Sequence, residues 1–245
     1  MKYAYWFIAF ILISLVGCSD NRRLGEEIIE KSLVAHGANV MSQSELRFNF
    51  RGINYSVARK NGTYSYKRNI MEGSDTIVDI LTNDGFERQV NGIKIALEDE
   101  EAQRYKSSLN SVIYFSQLPY SLDGKAVNKK HIGNIEIEDR SYHKVKVTFD
   151  EHGGGEDHED VFIYWIDTET FLIDYLAYSF CEEECGYRFR KSYNRRDLNG
   201  MIIQDYHNYK TPTIEPELHE LDSLFKEDLL IKVSDIELKK AAVTQ

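Results

Sequence analysis

Proline is nearly missing from this chain, with three residues in 245, and no Pro- or Ser-rich linker, low-complexity tract or fixed-length repeat interrupts it. Those absences exclude a jointed or disordered protein, because such compositions cannot bury a core. Positive charge is also short: 30 Lys and Arg face 40 Asp and Glu, for a formal net charge of -10. A chain this acidic has no broad attraction for nucleic acid or for anionic lipid surfaces. Cysteine is limited to three residues, none in a C-x-x-C redox pair. Catalytic signatures are missing as well, with no G-x-S-x-G elbow, H-E-x-x-H pair, phosphate loop or dinucleotide fingerprint. A non-enzymatic role is the expected one.

What is present begins at the N-terminus. The opening "MKYAYWFIAFILISLVGCSD" carries Lys2 and then a run of 14 residues from Tyr3 to Val16 that is apolar but for Ser14. A membrane-spanning helix needs about 20 such residues, so residues 1–17 are expected to be a removed signal peptide. "LVGC" at Leu15 to Cys18 resembles the lipobox of bacterial lipoproteins. The resemblance implies cleavage before Cys18, lipidation of its sulfur, and a tether over residues 18–23. Acyl chains contribute about 0.8 kcal/mol per buried CH₂, so a multiply acylated Cys18 would hold the protein to a membrane through its lipid anchor. Ser19 stands where many inner-membrane lipoproteins have Asp, which implies the outer membrane of the cell envelope.

Beyond the tether, Leu24, Ile28, Leu33 and Val34 mark roughly one face of a helix over 24–36, and Gly37 stands as its C-terminal cap. The adjoining His36 is expected to suit the dipole at that helix end. The period then changes to two: Leu46, Phe48 and Phe50 alternate with polar residues, as do Ile53, Tyr55 and Val57. Asn61-Gly62, Asn83-Asp84-Gly85, Asn91-Gly92 and Asn199-Gly200 supply hairpin turns. One interruption, from Glu98 to about Ser116, sets Ala102, Tyr105, Leu109, Val112 and Ile113 at helical spacing and stops before Pro119. Strands are expected over 132–137, 142–149, 160–166, 171–180, 187–193 and 201–207, followed by a short helix near 215–225 and a last strand within 229–238. "VFIYWI" and "FLIDYLAYSF" are apolar on both alternating faces, so the centre of that sheet should be covered on both sides. With 16 Tyr and 12 Phe, strands dominate.

The fold class so predicted is mainly β with helices (α+β): a curved antiparallel sheet covered by helices, a single domain over 24–245. This order of elements resembles the half-barrel of bacterial lipoprotein-localisation carriers. "SVIYF" with "LPY", "KVKVTF", "DYLAYSF" and "GYRFRKSYN" look like an uncharacterised lipoprotein family of the Bacteroidota. Neither resemblance assigns a catalytic residue, and fold alone does not establish function.

"DEHGGGEDHED", from Asp150 to Asp160, is the chain's densest polar constellation. Pairing 142–149 with 160–166 so that partner numbers sum to about 310 sets Asp150 opposite Asp160 and His152 opposite His158. Two imidazoles and two carboxylates suit a divalent metal such as Zn²⁺. The competing and more economical reading is a solvated hairpin tip on flexible glycines. Cys181 and Cys185 flank "EEE" at another hairpin neck, where an envelope protein can form a disulfide. Arg188 and Arg190 share a strand face and have the forked donors that bind anions, although the neighbouring acids explain them as well.

The expected function is an outer-membrane-anchored lipoprotein that binds a hydrophobic or lipid-like ligand in an aromatic-lined cleft. The alternatives are an envelope structural or interaction module in which the aromatics fill a core, and a metal-dependent hydrolase using the 150–160 loop. No cofactor beyond that metal is implied.

Overall fold

The structure, a computed structural model, describes residues 20–152, 159–181, 185–213 and 216–244. It is mainly β with few helices, as expected, and strands account for 52% of it. Among the described residues, fourteen strands form two antiparallel seven-stranded sheets, neither of them closed. The chain divides into two compact units, one built from residues up to Ser32, Leu122–Arg190 and Tyr209–Lys232, the other from Leu33–Ser121, Lys191–Asn208 and Val233–Gln245. Neither unit is a continuous stretch, so no linker composition marks the division.

In the second unit, β1 (Glu45–Phe50), β2 (Ile53–Lys60), β3 (Thr63–Glu72), β4 (Asp75–Thr82), β5 (Gly85–Val90) and β6 (Ile93–Lys94) follow one another as a meander. The Asn-Gly signals become its turns. Asn61 and Gly62 both have positive φ, as do Asn91 and Gly92, the backbone that a two-residue type I′ hairpin requires. One face of the sheet presents Leu46, Phe48, Tyr55, Val57 and Leu81 to a core completed by Leu109 and Ile113. Those last two lie on α3 (Asp99–Ser116), whose first turn holds Asp99, Glu100 and Glu101 at the positive end of the helix dipole. The expected interrupting helix therefore forms within a residue or two of its predicted ends.

The first unit contains β7 (Val127–Ile137), β8 (Arg140–Phe149), β9 (Phe162–Asp167) and β10 (Ile173–Cys181). All six residues of β9 are buried, which agrees with its two apolar faces. One face packs Trp165 and Tyr175 against Phe189 and Phe225. Phe225 belongs to α4 (Leu221–Lys226), within the predicted C-terminal helix. Strands β11 (Cys185–Leu198), β12 (Met201–Lys210) and β13 (Ile231–Ile236) each give residues to both units, and β14 (Lys239–Thr244) pairs with β1 through Leu46 and Val243.

Two local expectations are corrected. The first helix, α1 over residues 20–35, which precedes the short α2 (Ala38–Met41), does not bury Leu24 and Val34, which are exposed. Its buried stripe is Gly25, Ile28, Ile29, Ser32 and Leu33, a spacing of three and four in which a glycine and a serine take positions expected to be apolar. The reason lies at Gly25: a Cβ there would come within 2.9 Å of the His131 backbone nitrogen on β7. The second correction is register. Tyr142 pairs with Asp167, Val145 with Tyr164 and Val147 with Phe162, so partner numbers sum to 309. A one-residue slip exchanges faces. Trp165 and Ile163 consequently share a face with Lys144 and Lys146 rather than with Val145 and Val147. Because β9 is apolar on both sides, its alternation carries no register information.

Candidate functional site

Continuing the period-two alternation of the second unit leads to an unexpected set of side chains. On β2 the inward positions run Tyr55, Val57, Arg59, on β3 Tyr64, Tyr66, Arg68, and on β5 Phe86, Arg88. Pairing aligns Arg68, Asp79 and Arg88 in one row across β3, β4 and β5. All three arginines are buried, at 6 to 8% exposure, and Asp79 is at 0%. A buried guanidinium needs hydrogen bonds and a countercharge. Asp79 supplies both to two of them: Arg68 Nε donates to Oδ2 at 2.5 Å, and Arg88 donates from Nε to Oδ1 at 2.6 Å and from Nη2 to Oδ2 at 2.8 Å. Arg68 also reaches Ser108 Oγ at 2.9 Å, and the Arg88 guanidinium stacks 3.2 Å from the Tyr105 ring centre, so the row is fastened to α3. Hydrogen bonding to Asp79 holds the Arg88 guanidinium above its ordinary value.

Arg59 stands apart from that row. Its Nη1 donates to Gln117 Oε1 and its Nη2 to the Tyr66 hydroxyl at 2.8 Å. The guanidinium lies 4.1 Å from the Tyr120 ring centre and 4.9 Å from that of Tyr66. Burial pushes the Tyr66 phenol up against the opposing pull of Arg59, so it stays neutral. These groups surround a cavity of about 40 Å³ beside the C-terminal half of α3, walled by Arg59, Tyr66, Ile113, Tyr114, Gln117 and Tyr120, with exposed Asn110 and Ser121 adding polar side chains. The arrangement can hold a small polar group against a cation and three tyrosine rings.

The predicted site residues lie elsewhere. Asp150 is exposed and accepts a 2.6 Å hydrogen bond from Asn128, and His152 is exposed. Asp160 is half-buried. The observed pairing of β8 with β9 runs from Tyr142 with Asp167 to Val147 with Phe162 and does not extend to Asp150 and Asp160. His158 lies outside the described residues, as do residues 1–17 and the lipidation site Cys18. Among the described residues no group of three or more His, Cys, Asp or Glu is arranged to hold a metal ion. Cys181 and Cys185 are joined by a disulfide. Arg188 stacks on Phe180, with 4.6 Å to the ring centre, and Arg190 donates to the Tyr178 hydroxyl at 2.8 Å. His36 is not a solvated helix end. It is fully buried, and burial, reinforced by the charge of Arg195, pulls its imidazole down to about 3 against an opposing backbone hydrogen bond to Ile202.

A family model described as a family of unknown function (DUF6503) matches residues 4–238. The chain belongs to that family. No curated protein matches it. Among solved structures, a DUF1329 family protein from Desulfovibrio piger is similar at 12% identity, covering 78% of this chain and 86% of its own with a TM-score of 0.43. A LolA superfamily protein from Nitrosomonas europaea is similar at 9% identity, covering 90% of this chain and 91% of its own with a TM-score of 0.47.

Sequence reading missed the buried arginines, although a signal for them exists. Carrying the alternation of Ile53, Tyr55 and Val57 one step further sets Arg59 on an apolar strand face, where a charged side chain is the informative exception.

Proposed function

We propose that this protein is a lipoprotein of the bacterial cell envelope, carried on the outer membrane by an acylated Cys18, and that it binds a hydrophobic or lipid-like ligand without transforming it. The observation that carries the reading is the tyrosine-walled cavity beside α3, where Tyr66, Tyr114 and Tyr120 surround a space of about 40 Å³. Ligand sites are concave and combine apolar or aromatic walls with a few polar groups that fix orientation, and here three tyrosine rings and Ile113 stand beside the polar ends of Arg59 and Gln117. The volume takes one end of a ligand, and the remainder lies outside the cavity. The aromatics of the first unit have a different role: Trp165, Tyr175 and Phe189 are at most 2% exposed and pack ring against ring, so they fill a core.

The leader supports the address, since its apolar run is too short to span a bilayer and ends at Gly17-Cys18. Among the described residues no helix is long and apolar enough to cross a membrane. The metal-dependent alternative is less well supported, because Asp150 and His152 are both exposed.

The test is mass spectrometry of protein purified from bacterial envelopes, native first and then after organic extraction. The expected result is a diacylated N-terminal Cys18 together with a noncovalently held lipid or other hydrophobic compound. An unmodified thiol would overturn the anchor, and ligand-free protein that also binds no alkyl probe would overturn the binding role.

A further inference from the structure

Charge on the inner face of the second unit's sheet does not balance. Arg59, Arg68 and Arg88 are all buried there, and among the described residues Asp79 is the one carboxylate that any of them meets. Asp79 serves Arg68 and Arg88 from both of its oxygens. Arg59 has only neutral partners: the Gln117 amide oxygen, the Tyr66 hydroxyl, and the ring faces of Tyr66 and Tyr120. A guanidinium cannot shed its proton to escape burial, so it stays charged. Buried charge without a counter-ion is costly, and proteins keep such a group where something else completes it.

The remaining geometry says what that something is. Two of the five guanidinium N–H donors bond to protein, which leaves three of the fork for a further acceptor. The adjoining cavity, about 40 Å³, has room for roughly three waters at 10–15 Å³ each, or for a group of carboxylate or phosphate size. None of its eight lining residues is Asp or Glu, so no carboxylate of the wall competes for Arg59. The Tyr66 and Tyr120 ring centres lie 4.9 and 4.1 Å from the guanidinium and help hold it in place, and its remaining N–H donors suit a planar or tetrahedral oxyanion.

We infer that this cavity is an anion-binding subsite in which Arg59 pairs with the carboxylate or phosphate end of the ligand. The inference rests on the reading of the cavity as the ligand site, and it adds the chemistry of the ligand's polar end. Such chemistry belongs equally to a fatty acid, to a phosphate-bearing lipid and to free phosphate.

The full chain in maltoside detergent at low ionic strength would be titrated with hexanoate, hexyl phosphate, hexanol and inorganic phosphate, with calorimetry as the readout. Hexanoate or hexyl phosphate should bind at least tenfold more tightly than hexanol. Arg59→Met, which keeps the volume and removes the charge, should abolish that difference while remaining folded without ligand, and Arg59→Lys should keep part of it. Hexanol binding as tightly as hexanoate and hexyl phosphate would overturn the anion subsite and leave the hydrophobic-ligand reading standing. Inorganic phosphate binding as tightly as hexyl phosphate would support the subsite but remove the lipid from the proposed function. Binding by no probe would overturn both. Should Arg59→Met fail to fold, the comparison of hexanoate with hexanol on the natural protein still decides the matter.

Discussion

Trp165 donates its indole N–H to the Asp222 carboxylate at 3.0 Å, joining β9 to α4 across 57 positions of sequence. The same carboxylate receives Lys144 Nζ at 2.6 Å, and Lys144 also donates to the His219 carbonyl. Polar atoms on an otherwise apolar face thereby fix where α4 sits, and the aromatic stack of Phe189 on Phe225 follows from that placement.

Asp222→Ala should therefore be among the most damaging single changes in the first unit. It strands a largely buried ammonium and an indole N–H together, at a cost of about 3–5 kcal/mol. Trp165→Phe removes only the donor and some volume, so about 1–3 kcal/mol is expected. Urea midpoints of the two variants measure the order. Equal losses would show that ring packing, and not the carboxylate, sets the position of α4.

Asp79 holds the corresponding place in the second unit. Asp79→Asn keeps the shape but leaves Arg68 and Arg88 without a countercharge, and a loss of about 3–5 kcal/mol is expected. The triple change Asp79→Leu, Arg68→Met, Arg88→Met removes every charge of the row and should lose less than the single change. Chemical denaturation of both proteins checks the ranking. A triple variant no better than Asp79→Asn would mean that the bonds from Arg68 and Arg88 to α3, rather than charge balance, stabilise the row.

His36 gives the protein an acid-sensitive element. Its imidazole titrates near 3 in the folded chain against 6.5 for the ordinary value. Between those pH values the unfolded chain binds a proton that the folded one does not, so stability rises with pH through this window and falls as pH drops below 6.5. The slope is about 1.4 kcal/mol per pH unit, or roughly 2 kcal/mol lost by pH 5. His143 is also held down, first by burial and then by His131 and Lys31, but it is partly exposed and adds less. Denaturation midpoints at pH 7 and pH 5 should diverge for the natural chain and draw together in His36→Leu. An unchanged gap in that variant would assign the acid sensitivity elsewhere.

How much of this was legible beforehand depended on whether a segment's own pattern determined its surroundings. The turns at Asn61-Gly62 and Asn91-Gly92 were readable because Asn-Gly is the pair that most readily takes the positive φ at both positions of a two-residue type I′ hairpin. Helix α3 was readable because its helical spacing and its stop before Pro119 agree. Register between β8 and β9 was not, since β9 is buried on both faces and either alignment hides apolar groups. Strand β14 escaped notice because Lys239 to Thr244 carries little apolar alternation and is held by its pairing with β1. The cavity beside α3 is a meeting of Arg59 with Gln117, 58 positions apart, which no local pattern encodes.

Gly25 shows the same limit from the side of packing, since its role depends on a strand more than a hundred positions later. A Cβ at this position would lie 2.9 Å from the His131 nitrogen and 3.0 Å from the backbone of Lys129 and Lys130. Backbone on both sides cannot yield as a flexible side chain would, so helix α1 would have to lift away from β7. Ala has the higher intrinsic helix propensity by about 0.8–1.0 kcal/mol, and an exposed glycine in a helix would gain that on substitution. Here the overpacking cost of about 1–3 kcal/mol opposes it and should prevail. Gly25→Ala is thus expected to lower the melting temperature, whereas Glu26→Ala on the exposed side of the same turn should leave it nearly unchanged. Thermal denaturation of the two variants settles the sign, and a Gly25→Ala protein more stable than the parent would mean that α1 does not press on β7 at this point.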